Sequence, residues 1–298
     1  MTHCKNQTQT HARRRAFTLV ELLVVVVIIT ILAGIVLTAM FGATESARVA
    51  RTRAMVARVN DLIAPIWEAY NTRRVPISIP ATDGPAVAAG KRLNALRELM
   101  RMELPDRITD VVDDPVTVGK RPALSEAYKR MVTARAGGFP GTWTEANEGS
   151  ECLYMILSRI QNGNTNGLEF VRETEIGDTD EDGMPEILDA WGKPIAFLRW
   201  APGFLAPNST VQDGTKADPF DPLQVGTGNF FLRPLVFSAG PDQTYDVSAQ
   251  SAGFQYSTTS PPNDPFTTTV SPAFGTPDTT SGKFRDNIHN HFISTGIN

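Results

Sequence analysis

The chain has 298 residues, 41% of them hydrophobic and 8% aromatic, which suffices for a packed core. Its formal net charge of −4 argues against nucleic acid as the main partner, since that partner calls for a basic surface. The first predicted element is a membrane helix. Arg13-Arg14-Arg15 stops abruptly at an apolar run from Phe17 to Phe41 whose only ionisable side chain is Glu21. A run of that length exceeds the roughly 20 residues that cross a bilayer as a helix, and it is longer than the apolar core of a signal peptide. A carboxylate inside such a segment costs about 2.5 to 3.5 kcal/mol on insertion scales, so Glu21 calls for a partner and a function.

Ala16-Phe17-Thr18-Leu19-Val20-Glu21 resembles the cleavage and methylation motif of type IV pilins and of type II secretion pseudopilins. The resemblance implies that a prepilin peptidase cuts between Ala16 and Phe17 on the cytoplasmic side and methylates the new amino terminus. It also implies that Glu21 pairs with the amino terminus of a neighbouring subunit. The family usually has Gly where this chain has Ala16. Residues 1–16 are then a cytoplasmic leader, 17–41 the transmembrane part of a long helix, and 42–74 its soluble part. The leader carries Lys5, Arg13, Arg14 and Arg15 and no acid, so its removal lowers the charge of −4 by four units. It also carries Cys4, leaving Cys152 as the lone cysteine and no intramolecular disulfide. Cys152 lies in an apolar run and is expected to be buried and structural. The basic leader keeps the N-terminus in the cytoplasm and sends the remainder across the inner membrane into the periplasm.

From Ala43 to about Tyr70 the apolar residues Val49, Met55, Val56, Val59, Leu62, Ile63 and Ile66 continue at helical spacing, so anchor and soluble part are expected to form one helix, with Gly34 and Pro65 as weak points. Residues 75–167 read as a linker followed by a helical insertion. Val75 to Pro85 is proline-rich and extended. Helices are expected over Lys91–Leu104, Pro122–Ala136 and Ser150–Ile160, with Arg107–Val118 extended and Gly137–Gly141 as a break. Residues 168–298 turn towards strands. Ile195–Trp200, Asn229–Arg233 and Pro234–Ser238 are short apolar runs set off by Gly, Pro, Asn and Asp, the pattern of a small antiparallel sheet. Residues 248–283 are rich in Ser, Thr, Pro and Gly and are expected to be loosely packed. Phe284–Ile293 is expected to close the domain as an edge strand, with His289 and His291 exposed on one face. The fold class that results is α+β: a long N-terminal helix packed on a small C-terminal antiparallel sheet, with a helical insertion.

Asp178-Thr179-Asp180-Glu181-Asp182-Gly183-Met184-Pro185-Glu186-Ile187-Leu188-Asp189 carries acids at alternate positions of a twelve-residue loop, with Gly183 at the sharp turn. That spacing suits calcium, with Asp178, Asp180, Asp182, Met184, Glu186 and Asp189 as the candidate ligand set. A solvated acidic turn is the alternative. Asp189-Ala190-Trp191-Gly192-Lys193-Pro194 resembles the segment that opens the sheet in major pseudopilins. Phe237-Ser238-Ala239-Gly240-Pro241-Asp242-Gln243-Thr244-Tyr245-Asp246 resembles that family's calcium loop, which makes Asp242 and Asp246 the alternative ligands. Asp286-Asn287-Ile288 is similar to its closing motif. The function these resemblances imply is a pseudopilus subunit of type II secretion, with other pilin-like subunits, the prepilin peptidase and an inner-membrane secretion platform as partners. A minor type IV pilin that captures DNA or a surface is the second reading and a membrane-anchored hydrolase the third. No nucleophile, base and acid at catalytic spacing stand out, so no enzymatic activity is expected.

Overall fold

The first helix, α1 (Leu19–Ala69), is continuous through Gly34 and keeps Pro65 within it. Its start is a reciprocal cap: Glu21 Oε2 accepts from the Thr18 backbone N–H and hydroxyl at 2.9 Å, and the Glu21 N–H donates to Thr18 Oγ1 at 3.2 Å. The computed structural model describes residues 18–163, 165–248, 264–266, 272–280 and 283–295, and the chain divides into two units, Met1–Ala47 and Arg48–Asn298. In the first unit the large apolar side chains from Leu19 to Phe41 are exposed, on a helix long and apolar enough to cross a membrane. In the second unit α1 buries Thr52, Met55, Val56, Val59, Leu62, Ile63 and Trp67, the face that helical spacing predicts.

The insertion is helical, with shifted boundaries. α2 (Pro85–Glu103) begins six residues before the expected Lys91. Pro85 occupies the first turn, where its missing N–H costs nothing, and Ala86, Ala88 and Ala89 propagate the helix. Part of the stretch expected to be extended is a short helix, α3 (Ile108–Val112). Asp110 Oδ2 accepts from the Asp106 N–H, and Glu148, distant in sequence, accepts from the Ile108 N–H at 2.8 Å. These carboxylates satisfy donors that a helix start leaves open. α4 (Ala123–Arg135) and α5 (Glu148–Leu157) follow. Every residue of α5 from Ser150 to Leu157 is buried, so it is a core helix rather than an amphipathic one.

The strands are short. β1 (Gln161–Asn162) pairs with β2 (Thr165–Asn166), and β3 (Ile176–Gly177) pairs with β4 (Glu186–Ile187), leaving the acidic run as the turn of a hairpin. β5 (Ala196–Leu198), β6 (Leu235–Ser238) and β7 (Ile288–His289) form an antiparallel sheet in that order, with Phe197 opposite Val236 and Phe237 opposite His289. The expected strand at Asn229–Arg233 does not form. Its donors go elsewhere: the Phe231 N–H to the Lys216 carbonyl and the Arg233 N–H to Gln212 Oε1, each at 2.9 Å. The expected loose segment is partly packed where it is described. Phe274 is buried, with the Arg107 guanidinium 4.7 Å from its ring, and Asp264 pairs with Arg97 at 3.3 Å. His289 and His291 are buried, against expectation, with ring contacts to Phe204 at 5.0 and 5.2 Å. At the centre Arg199 is fully buried, its Nη1 2.6 Å from Asp110 and its Nη2 3.4 Å from Asp106.

Candidate cation site and N-terminal motif

The β3–β4 turn folds on its own side chains first. Asp178 accepts from the N–H groups of Asp182 at 3.1 Å and Gly183 at 3.0 Å, and Asp182 Oδ1 accepts from the Met184 N–H at 2.8 Å. Gly183 has φ of +96°, and a Cβ there would stand 2.8 Å from the Arg135 carbonyl oxygen. Only glycine fits this position.

A second segment, 142–151, then locks the turn from outside. The Thr144 N–H donates to Asp182 Oδ2 at 2.6 Å and its hydroxyl donates to Asp180 Oδ2 at 3.1 Å. Asn147 donates to Glu186 Oε1 at 2.9 Å, while the Ser150 hydroxyl exchanges hydrogen bonds with the backbone of Ile187. The result is two overlapping groups of carboxylates that share Asp180: Asp178, Asp180 and Glu186, and Glu151, Asp180 and Asp182. In each group one oxygen per residue lies within 4.8 Å of the others. These clustered acids have the geometry to hold a metal ion.

The electrostatics favour a cation. Two full charges at 4.8 Å repel by roughly 3 kcal/mol at an effective dielectric of about 20. Glu151 and Glu186 are completely buried. Burial first, then neighbouring carboxylates, push the Glu151 carboxyl up to about 9; burial also raises Glu186, against the hydrogen bonds from Thr179 and Asn147. Glu151 Oε1 and Asp180 Oδ1 are buried without a hydrogen-bond partner. Orphaned oxygens among carboxylates are donors suited to a hard, oxygen-seeking ion.

The remaining residues of the ligand set read from spacing have other surroundings. Asp189 belongs to neither group: its Oδ2 accepts from the Ser238 hydroxyl at 2.6 Å, and its Oδ1 caps the turn through the N–H groups of Trp191 at 2.8 Å and Lys193 at 3.0 Å. A β-hairpin continues directly after the turn, so the chain leaves before position twelve can fold back. Asp189 thus ties the Trp-Gly segment to the Ser238 loop. The Met184 side chain is buried in the hydrophobic core. The alternative ligands Asp242 and Asp246 also belong to neither group. Asp242 accepts from the Thr244 N–H at 2.9 Å, and Asp246 and Asp286 each keep one buried oxygen without a partner. Glu151, Thr144 and Asn147 were not legible from the loop spacing. The available signal was an acid directly before the apolar run Cys152–Leu157 of α5.

Two groups bear on catalysis. Cys152 is buried, and burial raises its thiol pKa well above the usual value. Ser209 lies 2.9 Å from His291 Nδ1, but the other ring nitrogen faces the Pro234 carbonyl at 3.2 Å rather than a carboxylate. Burial drives that imidazole down to about 3, which makes it a weak base.

Ala16 and Phe17 lie outside the described residues; Glu21 sits in the first turn of α1 as the capping partner of Thr18. No curated protein and no solved structure matches the chain. Residues 11–37 match the family described as the prokaryotic N-terminal methylation motif. This segment spans Ala16, Phe17 and Glu21 and the start of the exposed apolar helix, so the N-terminal region carries the methylation motif, which is consistent with a type IV pilin-like protein.

Proposed function

We propose that the protein is a structural subunit of a type II secretion pseudopilus, mechanical rather than catalytic, with its second unit in the periplasm. One observation carries this reading: the methylation motif opens an apolar helix whose large side chains from Leu19 to Phe41 are exposed, with Glu21 as the one acid in that stretch. In a membrane those side chains face lipid, and in a filament they face other subunits, which is how one segment serves both states. Cleavage before Phe17 creates an amine within reach of a neighbour's Glu21 carboxylate, and pairing the two charges relieves the cost of each in an apolar medium. The Asp189 to Ser238 bond joins the two segments that resemble the secretion branch, which supports that branch over a minor type IV pilin. We assign calcium to the acidic β3–β4 turn, on its oxygen-only donors and its orphaned carboxylate oxygens.

Mass analysis of the protein recovered from membranes tests the central claim. The expected species begins at a methylated Phe17. An N-terminus elsewhere, or an unmodified Phe17, counts against assembly as a pilin-like subunit.

A further inference from the structure

We propose that Glu151, on α5, is a ligand of the cation held by the acidic turn, so that the site is closed by a helix from the insertion rather than by the end of the turn itself. This rests on the calcium reading of the turn and adds a residue thirty positions away from it. Glu151 is fully buried, and its two oxygens are treated differently. Oε2 accepts from the Trp143 indole N–H at 2.5 Å, which fixes the side chain, while Oε1 is buried and has no hydrogen-bond partner. One oxygen of Glu151 lies within 4.8 Å of oxygens from both Asp180 and Asp182, and Asp180 also keeps a buried oxygen without a partner. A buried carboxylate held at one oxygen and without a partner at the other, with oxygens of two further carboxylates nearby, is suited to sharing a cation with them. The donors are all oxygen, which selects calcium or a similar hard divalent ion over zinc or copper.

The geometry also explains why the ion would matter to the fold. Thr144 and Asn147 already tie segment 142–151 to the turn. A cation bound by both sides would make the α5 segment and the hairpin one rigid body.

Calcium titration calorimetry on the full-length chain in detergent, comparing wild type, Glu151→Gln and Glu186→Gln, tests this. Gln keeps an acceptor for the Trp143 indole and removes the charge. The expected result is at least a tenfold loss of calcium affinity in Glu151→Gln, larger than the loss in Glu186→Gln. Wild-type affinity in Glu151→Gln overturns the role of Glu151 and leaves the calcium turn standing; a wild-type chain that binds no calcium overturns both. Should Glu151→Gln not fold, terbium gives a second readout on the unaltered protein. An ion at Glu151 lies beside the Trp143 indole, so tryptophan-sensitised terbium emission is expected and should be lost in Trp143→Phe. Emission that persists in that variant overturns the placement.

Discussion

At the scale of single residues, the chain places several polar groups where spacing alone suggests a surface. Glu98 sits on α2, on what reads as an ordinary helical face, yet it is fully buried and accepts from the N–H groups of Val116, Thr117 and Val118 at 2.5 to 2.7 Å. Arg199 directly follows the apolar strand β5 and holds Asp106 and Asp110 in the core; burial raises Asp106, but the guanidinium charges of Arg199 and Arg107 outweigh it and bring the carboxyl down to about 2. His291 is the residue from which a pH effect follows. Burial first, and the neighbouring His289, push it down to about 3, against the hydrogen bond to the Pro234 carbonyl. An unfolded histidine titrates near 6.5, so below that pH the unfolded chain binds a proton that the folded one refuses, and stability falls as the medium acidifies. Between pH 7 and 5 this group alone contributes a loss of about 2 kcal/mol. Glu148, raised by burial to about 7, works in the opposite direction, so the readout must be a difference between variants. Unfolding of wild type and His291→Gln at the two pH values should show a smaller acid-induced loss in the variant. Equal losses would mean that His291 does not titrate as its burial requires.

At the scale of elements, the acidic turn with its positive φ at Gly183 follows from a local pattern, whereas its outer support does not. Asp-x-Asp-x-Asp-Gly is a local pattern, and local hydrogen bonds from Asp178 and Asp182 build it. The partners Thr144, Asn147, Ser150 and Glu151 come from a segment some thirty to forty residues earlier, and no periodicity links the two. Gly183→Ala should show how closely the pieces fit. Its φ of +96° and the Arg135 carbonyl 2.8 Å from the new Cβ predict a loss of about 1 to 3 kcal/mol, visible as a lower urea midpoint. A midpoint unchanged from wild type would mean that the turn relaxes away from α4 at little cost. The same contrast explains the remaining misreadings. Residues 229–233 have the apolar composition of a strand, but Pro234 and the glycines before them leave their donors to the 212–216 loop. α3 forms in a stretch without helical periodicity because Glu148, from another element, satisfies its first N–H.

At the scale of the whole molecule, the two units follow different rules. The first is described fully by composition: a basic stretch, an apolar helix, and Thr18 with Glu21 at its start. Glu21 has two roles in our reading, as a cap within the chain and as a contact between chains, and Glu21→Ala separates them from membrane insertion. That variant should remain in the membrane fraction and be absent from the sheared filament fraction; filaments at the wild-type level would rule out Glu21 as an assembly contact. In the second unit α2, α4, α5 and the β5–β6–β7 sheet lie largely where hydrophobic spacing places them, since those patterns repeat within a few residues, whereas α3 and the short β1–β2 and β3–β4 pairs do not. What the sequence by itself determined is therefore the long apolar helix and its motif, the α+β class and the acidic turn, all written in contiguous residues. Only the tertiary structure decided that Glu151 lies beside Asp180 and Asp182, that Asp189 bonds to Ser238, and that His289 and His291 are buried. Each of these depends on contacts between residues far apart in the chain, and which of two distant carboxylates reaches a site is settled by packing.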